Sequence, residues 1–146
     1  MNTFLMKSFI VLFFSVFSFQ AQAVTIRCPS GNEFGLSTTG YRMQANNENV
    51  LKGWEMVRST IGDRYVALEL AQLYVREVGN QQLRASCDYR ALNVQGLWSV
   101  AQTFAGNIRS CRPVSDDCRN NWSQTANSVN CYGKGDRYAE YEVSCD

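Results

Sequence analysis

Six cysteines in 146 residues, with no histidine, set the strongest limit on the architecture of this chain. No C-x-x-C pair occurs, which argues against a thioredoxin-like redox motif. The lack of histidine further disfavours a zinc site. An even number of cysteines behind an export signal is typical of a disulfide framework. We therefore expect three disulfide bonds and no metal or other cofactor. The cysteines are Cys28, Cys87, Cys111, Cys118, Cys131 and Cys145.

The sequence does not decide among the fifteen pairings that six cysteines allow. The arrangement we expect joins Cys111 to Cys118 as a local loop and Cys131 to Cys145 at the C-terminal end. Cys28–Cys87 would then tie down the N-terminal segment. Each bridge would stabilise the fold by about 2–4 kcal/mol.

The first 23 residues are expected to be a cleavable signal peptide. A start carrying Lys7 precedes the apolar run Phe9–Phe19, and an A-x-A site ends at Ala23. This run is shorter than the ~20 residues of a transmembrane helix. Cys28 lies five residues beyond Ala23, so a lipid anchor at the cleavage site is not expected. The remainder, 24–146, is predicted to be a single soluble domain that is secreted or periplasmic, with no membrane anchor.

Alternation of apolar and polar residues favours a mainly β (or α+β) fold. We expect a single antiparallel-sheet domain, stapled by three disulfides, with at most one short helix. The expected strands are Leu83–Ala91, Ala139–Cys145, Leu97–Thr103 and, weakened by a glycine, Val50–Arg58.

The segment Tyr65–Val78 fits either a helix or a strand, because short apolar runs cannot be separated by period alone. We favour a hairpin that pairs Ala67–Val78 with Gln81–Leu92 through a Gly79-Asn80 turn. Loops are expected where glycine, proline and asparagine cluster. They are Pro29–Gly31, Gln44–Asn49, Pro113–Asp117, Asn120–Asn130 and Gly133–Asp136.

Charge argues against two classes of partner. Without Lys7, the chain has 13 basic and 13 acidic residues, interspersed along the sequence. A nucleic-acid-binding protein carries a clustered basic excess, so no nucleic acid is expected. The balance gives equally little support for adhesion to anionic membranes.

Several catalytic arrangements are excluded by composition. Without histidine there is no Ser-His-Asp triad or Cys-His pair, and neither an S-x-x-K motif nor a glycine-rich phosphate loop occurs. A carboxylate pair for glycan hydrolysis remains available. The candidates for such a pair are Glu33, Glu48, Glu55, Asp63 and Glu69.

Two other groups are compatible with binding. Asp116 and Asp117, with Asp136 and Glu140, offer oxygen ligands for calcium, but without a D-x-D-x-D-G loop a turn is favoured. Trp54, Trp98 and Trp122 offer a platform for stacking sugars or peptides, although tryptophans on strands more often pack in the core. Trp122 follows two asparagines in a polar segment, so it is our candidate binding residue.

The order of several short motifs resembles that of a known family. Cys28-Pro29, Gly53-Trp54, Cys87-Asp88-Tyr89, Trp98, Cys111 and Asp117-Cys118 follow one another as CP…GW…CxY…W…C…C. This is similar to a family of small exported proteins of unknown function from Gram-negative bacteria. The resemblance covers about 28–122 and leaves Cys131 and Cys145 outside its pattern. It implies export and a shared disulfide scaffold, and it assigns no catalytic or binding residue.

These features predict a non-catalytic binding module that acts on a protein or glycan outside the cytoplasm. An inhibitor of a secreted hydrolase is the narrowest form of this hypothesis. The expected binding loops are Gln44–Asn49 and Asn120–Asn130, including Trp122. The alternatives are a carboxylate-dependent hydrolase of cell-wall glycan, and an envelope protein that self-associates through a strand edge.

Overall fold

The computed structural model describes residues 22–34, 50–60, 67–92 and 94–146. The expected signal peptide, apart from its last two residues, lies outside this part of the chain, as does the expected loop Gln44–Asn49. Glu48 and Asp63 also lie outside it. Within the described residues, no helix combines the length and the apolar character needed to cross a membrane.

The described residues form nine strands in two antiparallel sheets. The larger sheet has six strands in the order β2-β5-β4-β3-β8-β7, and the smaller has three in the order β1-β9-β6. The strands are β1 (Val24–Arg27), β2 (Glu55–Ser59), β3 (Leu68–Gly79), β4 (Gln82–Ala91), β5 (Leu97–Ala105), β6 (Arg112–Pro113), β7 (Trp122–Gln124), β8 (Ser128–Asp136) and β9 (Glu142–Cys145).

Helical structure in the described residues is limited to short pieces. The α-helix α1 spans Asp116–Asn120, and single 3₁₀ turns span Gly31–Glu33 and Ile108–Ser110. The expectation of a mainly β, antiparallel fold with at most one short helix is therefore confirmed for this part of the chain. The division into two sheets is an addition that periodicity alone did not indicate.

The hairpin of β3 and β4 forms the centre of the larger sheet. Leu68 pairs with Ala91 and Glu77 with Leu83. The segment Tyr65–Val78, which by its sequence also fitted a helix, is therefore a strand from Leu68 onward. The turn lies one residue later than expected, since Asn80 and Gln81 have φ of 50° and 56°. Positive φ at both central residues matches the right-handed twist of the flanking strands. Just before the turn, the register of the two strands shifts between Glu77 and Gly79, and Gly79 there has a φ of 94°.

One side of the larger sheet faces the core. Along β4, Leu83, Ala85, Cys87 and Tyr89 are each 0% exposed, and the residues between them face the other side. Residues of the smaller sheet, such as Ile26, belong to the same buried cluster. Full burial of a leucine or isoleucine side chain, such as that of Leu83 or Ile26, stabilises the fold by about 1.5–3 kcal/mol.

All six cysteines are paired, but only one pairing matches the expectation. Cys28–Cys87 is confirmed, with a Cα–Cα distance of 5.8 Å. The other two bridges are Cys111–Cys145 and Cys118–Cys131, at 4.1 and 5.0 Å, so the expected Cys111–Cys118 and Cys131–Cys145 are wrong.

Strand pairing explains the corrected bridges. Cys111 immediately precedes β6, and the antiparallel pairing of β6 with β9 carries it beside Cys145. Cys118 is buried on α1, which packs on β8, where Cys131 is also buried. Cysteines that are close in sequence thus lie on elements that face different strands.

Several element boundaries also differ from the expected ones. The strand expected at Val50–Arg58 begins only at Glu55, because a turn with Gly53 at φ 83° precedes it. Some polar segments that were expected to be loops contain strand residues. A polar stretch can form a strand in a sheet when one side of that strand faces solvent. These segments include Asn120–Asn130, which contains β7 and the start of β8, and Gly133–Asp136, which lies within β8.

Candidate binding face

The side of the larger sheet that faces away from the core carries three rows of side chains across its strands. We call this surface the outer face. Its first row is Gln72, Asp88 and Ser99, its second is Tyr74, Ser86 and Asn130, and its third is Arg76, Arg84 and Thr103. Along each strand, residues in successive rows are two apart, which places the rows about 7 Å from one another.

The first row contains a hydrogen-bonded carboxylate. The hydroxyl of Ser99 donates to Oδ1 of Asp88, and Ser99 is only 6% exposed. Asp88 is half-buried and lies opposite Gln72 of β3. The bond between Ser99 and Asp88 holds the carboxylate in a defined orientation on the sheet.

The second row is linked to the first by a pair of amides. Nε2 of Gln72 donates to Oδ1 of Asn130 at 3.0 Å. Tyr74 is half-buried between Ser86 and Asn130, which lie opposite it on the two neighbouring strands. Tyr132, opposite Gln72, is 59% exposed at the margin of this surface. The rows thus combine planar amides with tyrosine rings.

A shallow depression of about 360 Å³ lies over these two rows. Asp88 is the one carboxylate among the described residues that line it, so these residues offer no carboxylate pair for hydrolysis. The residues lining it are Val57, Gln72, Tyr74, Ser86, Asp88 and Ser99.

The third row places two cations side by side. Arg76 and Arg84 are directly paired across β3 and β4. Nη1 of Arg84 donates to the hydroxyl of Thr103 at 3.1 Å, and Arg76 is exposed. The salt bridges found among the described residues, Arg27–Glu33 and Arg119–Asp116, include neither arginine. This row is therefore a site of local positive charge without an ion-pair partner in the described part of the chain.

The three tryptophans do not form one platform. Trp98 is 5% exposed and its ring lies 5.4 Å from that of Tyr89 in the core. Trp54 precedes β2, whereas Trp122 begins β7, and these strands are opposite edges of the larger sheet. Trp122 is half-buried, opposite Cys131, and packs against the core. Its expected role as a binding residue stays a prediction, although much of its surface is used in packing.

The three described carboxylates that the sequence suggested for catalysis lie on three different elements. Glu33 accepts from the backbone N–H of Ser30 and from Arg27, so it stabilises the turn at Gly31–Glu33. Glu55 is exposed on β2. Glu69, on β3, lies opposite Arg90 of β4.

Three of the four acidic residues that suggested calcium bind backbone or arginine groups. Oδ2 of Asp117 accepts from the N–H of Glu140 at 2.9 Å, and Oδ1 of Asp136 accepts from the N–H of Tyr138 at 2.6 Å. Asp116 pairs with Arg119 at 2.7 Å. Over the described ranges, no group of three or more acidic or cysteine side chains is arranged to hold a metal ion. The turn favoured for Asp116 and Asp117 is wrong, because both residues lie at the start of the helix α1.

Two tyrosines have shifted pKa values for structural reasons. Burial, with the nearby charge of Glu33, raises the pKa of Tyr89 well above its ordinary value. Burial also raises the pKa of Tyr141, with added repulsion from Asp117 and Asp136. Both hydroxyl groups therefore stay neutral well beyond neutral pH and act as hydrogen-bonding groups of the core.

Asp88, Gln72 and the arginine pair were not among the residues that the sequence suggested for a site. The alternation of polar residues in β4 is visible in the sequence, but on its own it indicates only a strand. The neighbours that turn this alternation into a surface come from β3, β5 and β8, and pairing between distant strands is not encoded locally.

Comparisons with known proteins give no relative. No protein-family model matches the chain, and neither a curated protein nor a solved structure is significantly similar to it. The resemblance to small exported proteins of Gram-negative bacteria therefore stays a prediction.

Proposed function

We propose that this protein is an exported, non-catalytic binding module that takes its ligand on the outer face. The observation that carries the proposal is the set of ordered polar and aromatic side chains on neighbouring strands of one sheet. The three disulfide bonds support a secreted or periplasmic location, because such bonds persist in oxidising compartments.

The disulfide bonds also support the choice of this face. Cys87 lies between Ser86 and Asp88 on β4, and Cys131 lies between Asn130 and Tyr132 on β8. Leu73 pairs with both cysteines, so a buried row with two disulfide-bonded members lies directly behind the outer face. Side chains held in this way lose little conformational entropy on binding, which favours affinity.

The expected partner is a protein or glycan outside the cytoplasm. The narrower hypothesis of an inhibitor of a secreted hydrolase stays a prediction, which assays of lysozyme and protease activity in the presence of the protein would test. The predicted site at Trp122 is a second candidate surface, at the β7 edge of the same sheet.

The test uses the full chain, exported to an oxidising compartment and purified in its oxidised form. Binding to defined extracellular proteins and glycans is measured for the unchanged protein, for Ser86→Glu, and for the matched control Thr25→Glu. Ser86 lies in the second row, whereas Thr25 is exposed on β1 of the smaller sheet. Both changes add the same charge.

We expect Ser86→Glu to abolish binding and Thr25→Glu to preserve it. Equal binding by both variants would overturn the assignment to the outer face. Turnover of a cell-wall glycan that disappears in Asp88→Asn would overturn the non-catalytic part of the proposal.

Self-association through a strand edge is a second candidate, because β2 exposes apolar side chains. Met56 and Val57 are 66% and 51% exposed on this edge strand. A register shift between Met56 and Arg58 interrupts the edge, and such bulges hinder edge-to-edge pairing. Sedimentation over a range of concentrations tests this candidate, with Met56→Lys expected to abolish any oligomer that uses the edge.

A further inference from the structure

We propose that the ligand of the outer face is an acidic polysaccharide whose uronic acid carboxylates bind Arg76 and Arg84. Its sugar rings lie across the second and first rows. This inference rests on the proposed function and names the chemical class of the ligand.

The charge of the third row points to an anion. Like charges directly opposite each other on neighbouring strands destabilise a sheet. Arg76 and Arg84 nevertheless lie opposite each other, flanked by the hydroxyl groups of Thr103 and Ser128. Two adjacent guanidinium groups present forked N–H donors that match the two oxygens of a carboxylate. A bound carboxylate would relieve the repulsion within the row.

Carboxylates of the protein do not fill this role among the described residues. Asp88 is four residues from Arg84 on the same strand, about 13 Å away, and it accepts from Ser99. Glu55 is on β2, separated from β4 by β5. The positive row is therefore open to a carboxylate from a ligand.

The neighbouring rows favour a saccharide over an acidic peptide. Tyr74 lies two residues from Arg76 and offers an apolar ring with a polar hydroxyl, which suits the C–H face and hydroxyl groups of a pyranose. The Gln72–Asn130 bond uses Nε2 of one amide and Oδ1 of the other. The Gln72 carbonyl and the Asn130 amino group remain for the adjacent hydroxyls of a sugar.

Shape supports the same choice. Peptides are commonly bound at a sheet edge or in apolar grooves. The depression on the outer face is shallow and lies in the middle of the sheet, and Val57 is the one aliphatic side chain among the described residues that line it. An extended chain of sugar rings fits such a flat polar surface.

The experiment measures binding of the exported, oxidised protein to three uronic acid polymers: polygalacturonate, alginate and hyaluronate. Methyl-esterified polygalacturonate and poly-glutamate serve as ligand controls. The test variant is Arg76→Gln/Arg84→Gln. The matched control is Arg109→Gln/Arg112→Gln, which removes two exposed arginines outside the larger sheet. Thermal unfolding checks that both variants fold.

We expect at least one uronic acid polymer to bind, and Arg76→Gln/Arg84→Gln to weaken it by about tenfold or more, as expected for lost hydrogen bonds to a charged group. Binding should fall with added salt and be absent for the methyl ester and for poly-glutamate. Tyr74→Ala should weaken binding without changing its salt dependence. The control variant should bind like the unchanged protein.

Three results would overturn the inference. They are equal weakening in the control variant, which indicates unspecific charge attraction; tighter binding to poly-glutamate; and no binding to any of the three polymers. If none of the three polymers binds, the proposed function is decided by the test with other extracellular ligands. It survives where Ser86→Glu abolishes binding of another extracellular ligand, and it fails with the inference where no ligand depends on the outer face.

Discussion

The hydroxyl group of Tyr89, on the central strand β4, donates a hydrogen bond to the carbonyl oxygen of Pro29, 60 residues earlier in the chain. Pro29 follows Cys28, and Cys28 is bonded to Cys87, two residues from Tyr89. A covalent bond and a buried hydrogen bond thus join the same two segments. Together they fix the N-terminal end of the described domain against the larger sheet.

Loss of this hydrogen bond should be measurable in Tyr89→Phe. The change leaves a carbonyl group in the core without its partner, so we expect the free energy of unfolding to fall by about 1–3 kcal/mol. Urea unfolding at neutral pH measures the change. Tyr138→Phe is the matched control, because Tyr138 is 70% exposed and should change stability little. An equal effect of the two substitutions would contradict the structural role of the bond.

The raised pKa values of Tyr89 and Tyr141 predict a loss of stability in alkaline solution. In the unfolded chain a tyrosine ionises near 10, whereas the folded state favours the protonated form of both residues. The stabilisation is therefore complete below about pH 10 and is lost as the pH rises through the folded-state pKa values, at up to ~1.4 kcal/mol per pH unit for each residue.

Urea unfolding between pH 8 and 12 tests this loss. Tyr141→Phe should flatten the alkaline decline, because phenylalanine does not ionise. The exposed-site control Tyr138→Phe should leave the decline unchanged. A decline of the same slope in Tyr141→Phe would show that other groups cause it.

The disulfide pairing predicts a graded loss of stability. The bridges Cys28–Cys87, Cys111–Cys145 and Cys118–Cys131 span 59, 34 and 13 residues. On loop entropy alone, replacing both cysteines of a bridge by serine should cost about 4 kcal/mol for the first two and about 3 kcal/mol for the third. Peptide mapping without reduction checks the pairing itself, and recovery of a Cys111–Cys118 peptide would contradict it.

These bridges illustrate what the sequence could and could not predict. The β4 strand and its hairpin were predictable, because alternation and turn residues are local signals. Cys28–Cys87 was expected, but the other two bridges depend on β6 pairing with β9 and on α1 packing over β8. Such pairings between distant segments leave no periodic pattern. The outer face is not predictable from the sequence for the same reason, since each strand supplies at most one residue to each row.

Trp122 offers a direct comparison between a packing role and a binding role. Most of its surface is buried against the core, so Trp122→Ala should lower the free energy of unfolding by about 2–4 kcal/mol, somewhat less than the loss for a fully buried tryptophan. Trp122→Phe should retain most of that packing. Binding that is lost in Trp122→Phe while stability is kept would assign a ligand role to the indole. Binding equal to that of the unchanged protein would exclude Trp122 from the ligand site.

The arginine row predicts a gain in stability when its charge is removed. Arg76 and Arg84 repel each other across β3 and β4, so Arg76→Gln should raise the free energy of unfolding by about 0.2–1 kcal/mol at low salt. Near 1 M salt the gain should disappear, because screening then acts over about 3 Å. Arg112→Gln, an exposed control on β6, should show no such salt-dependent gain. A loss of stability in Arg76→Gln would mean that the row is held by attractive contacts within the protein, which would remove the main reason for expecting an anionic ligand there.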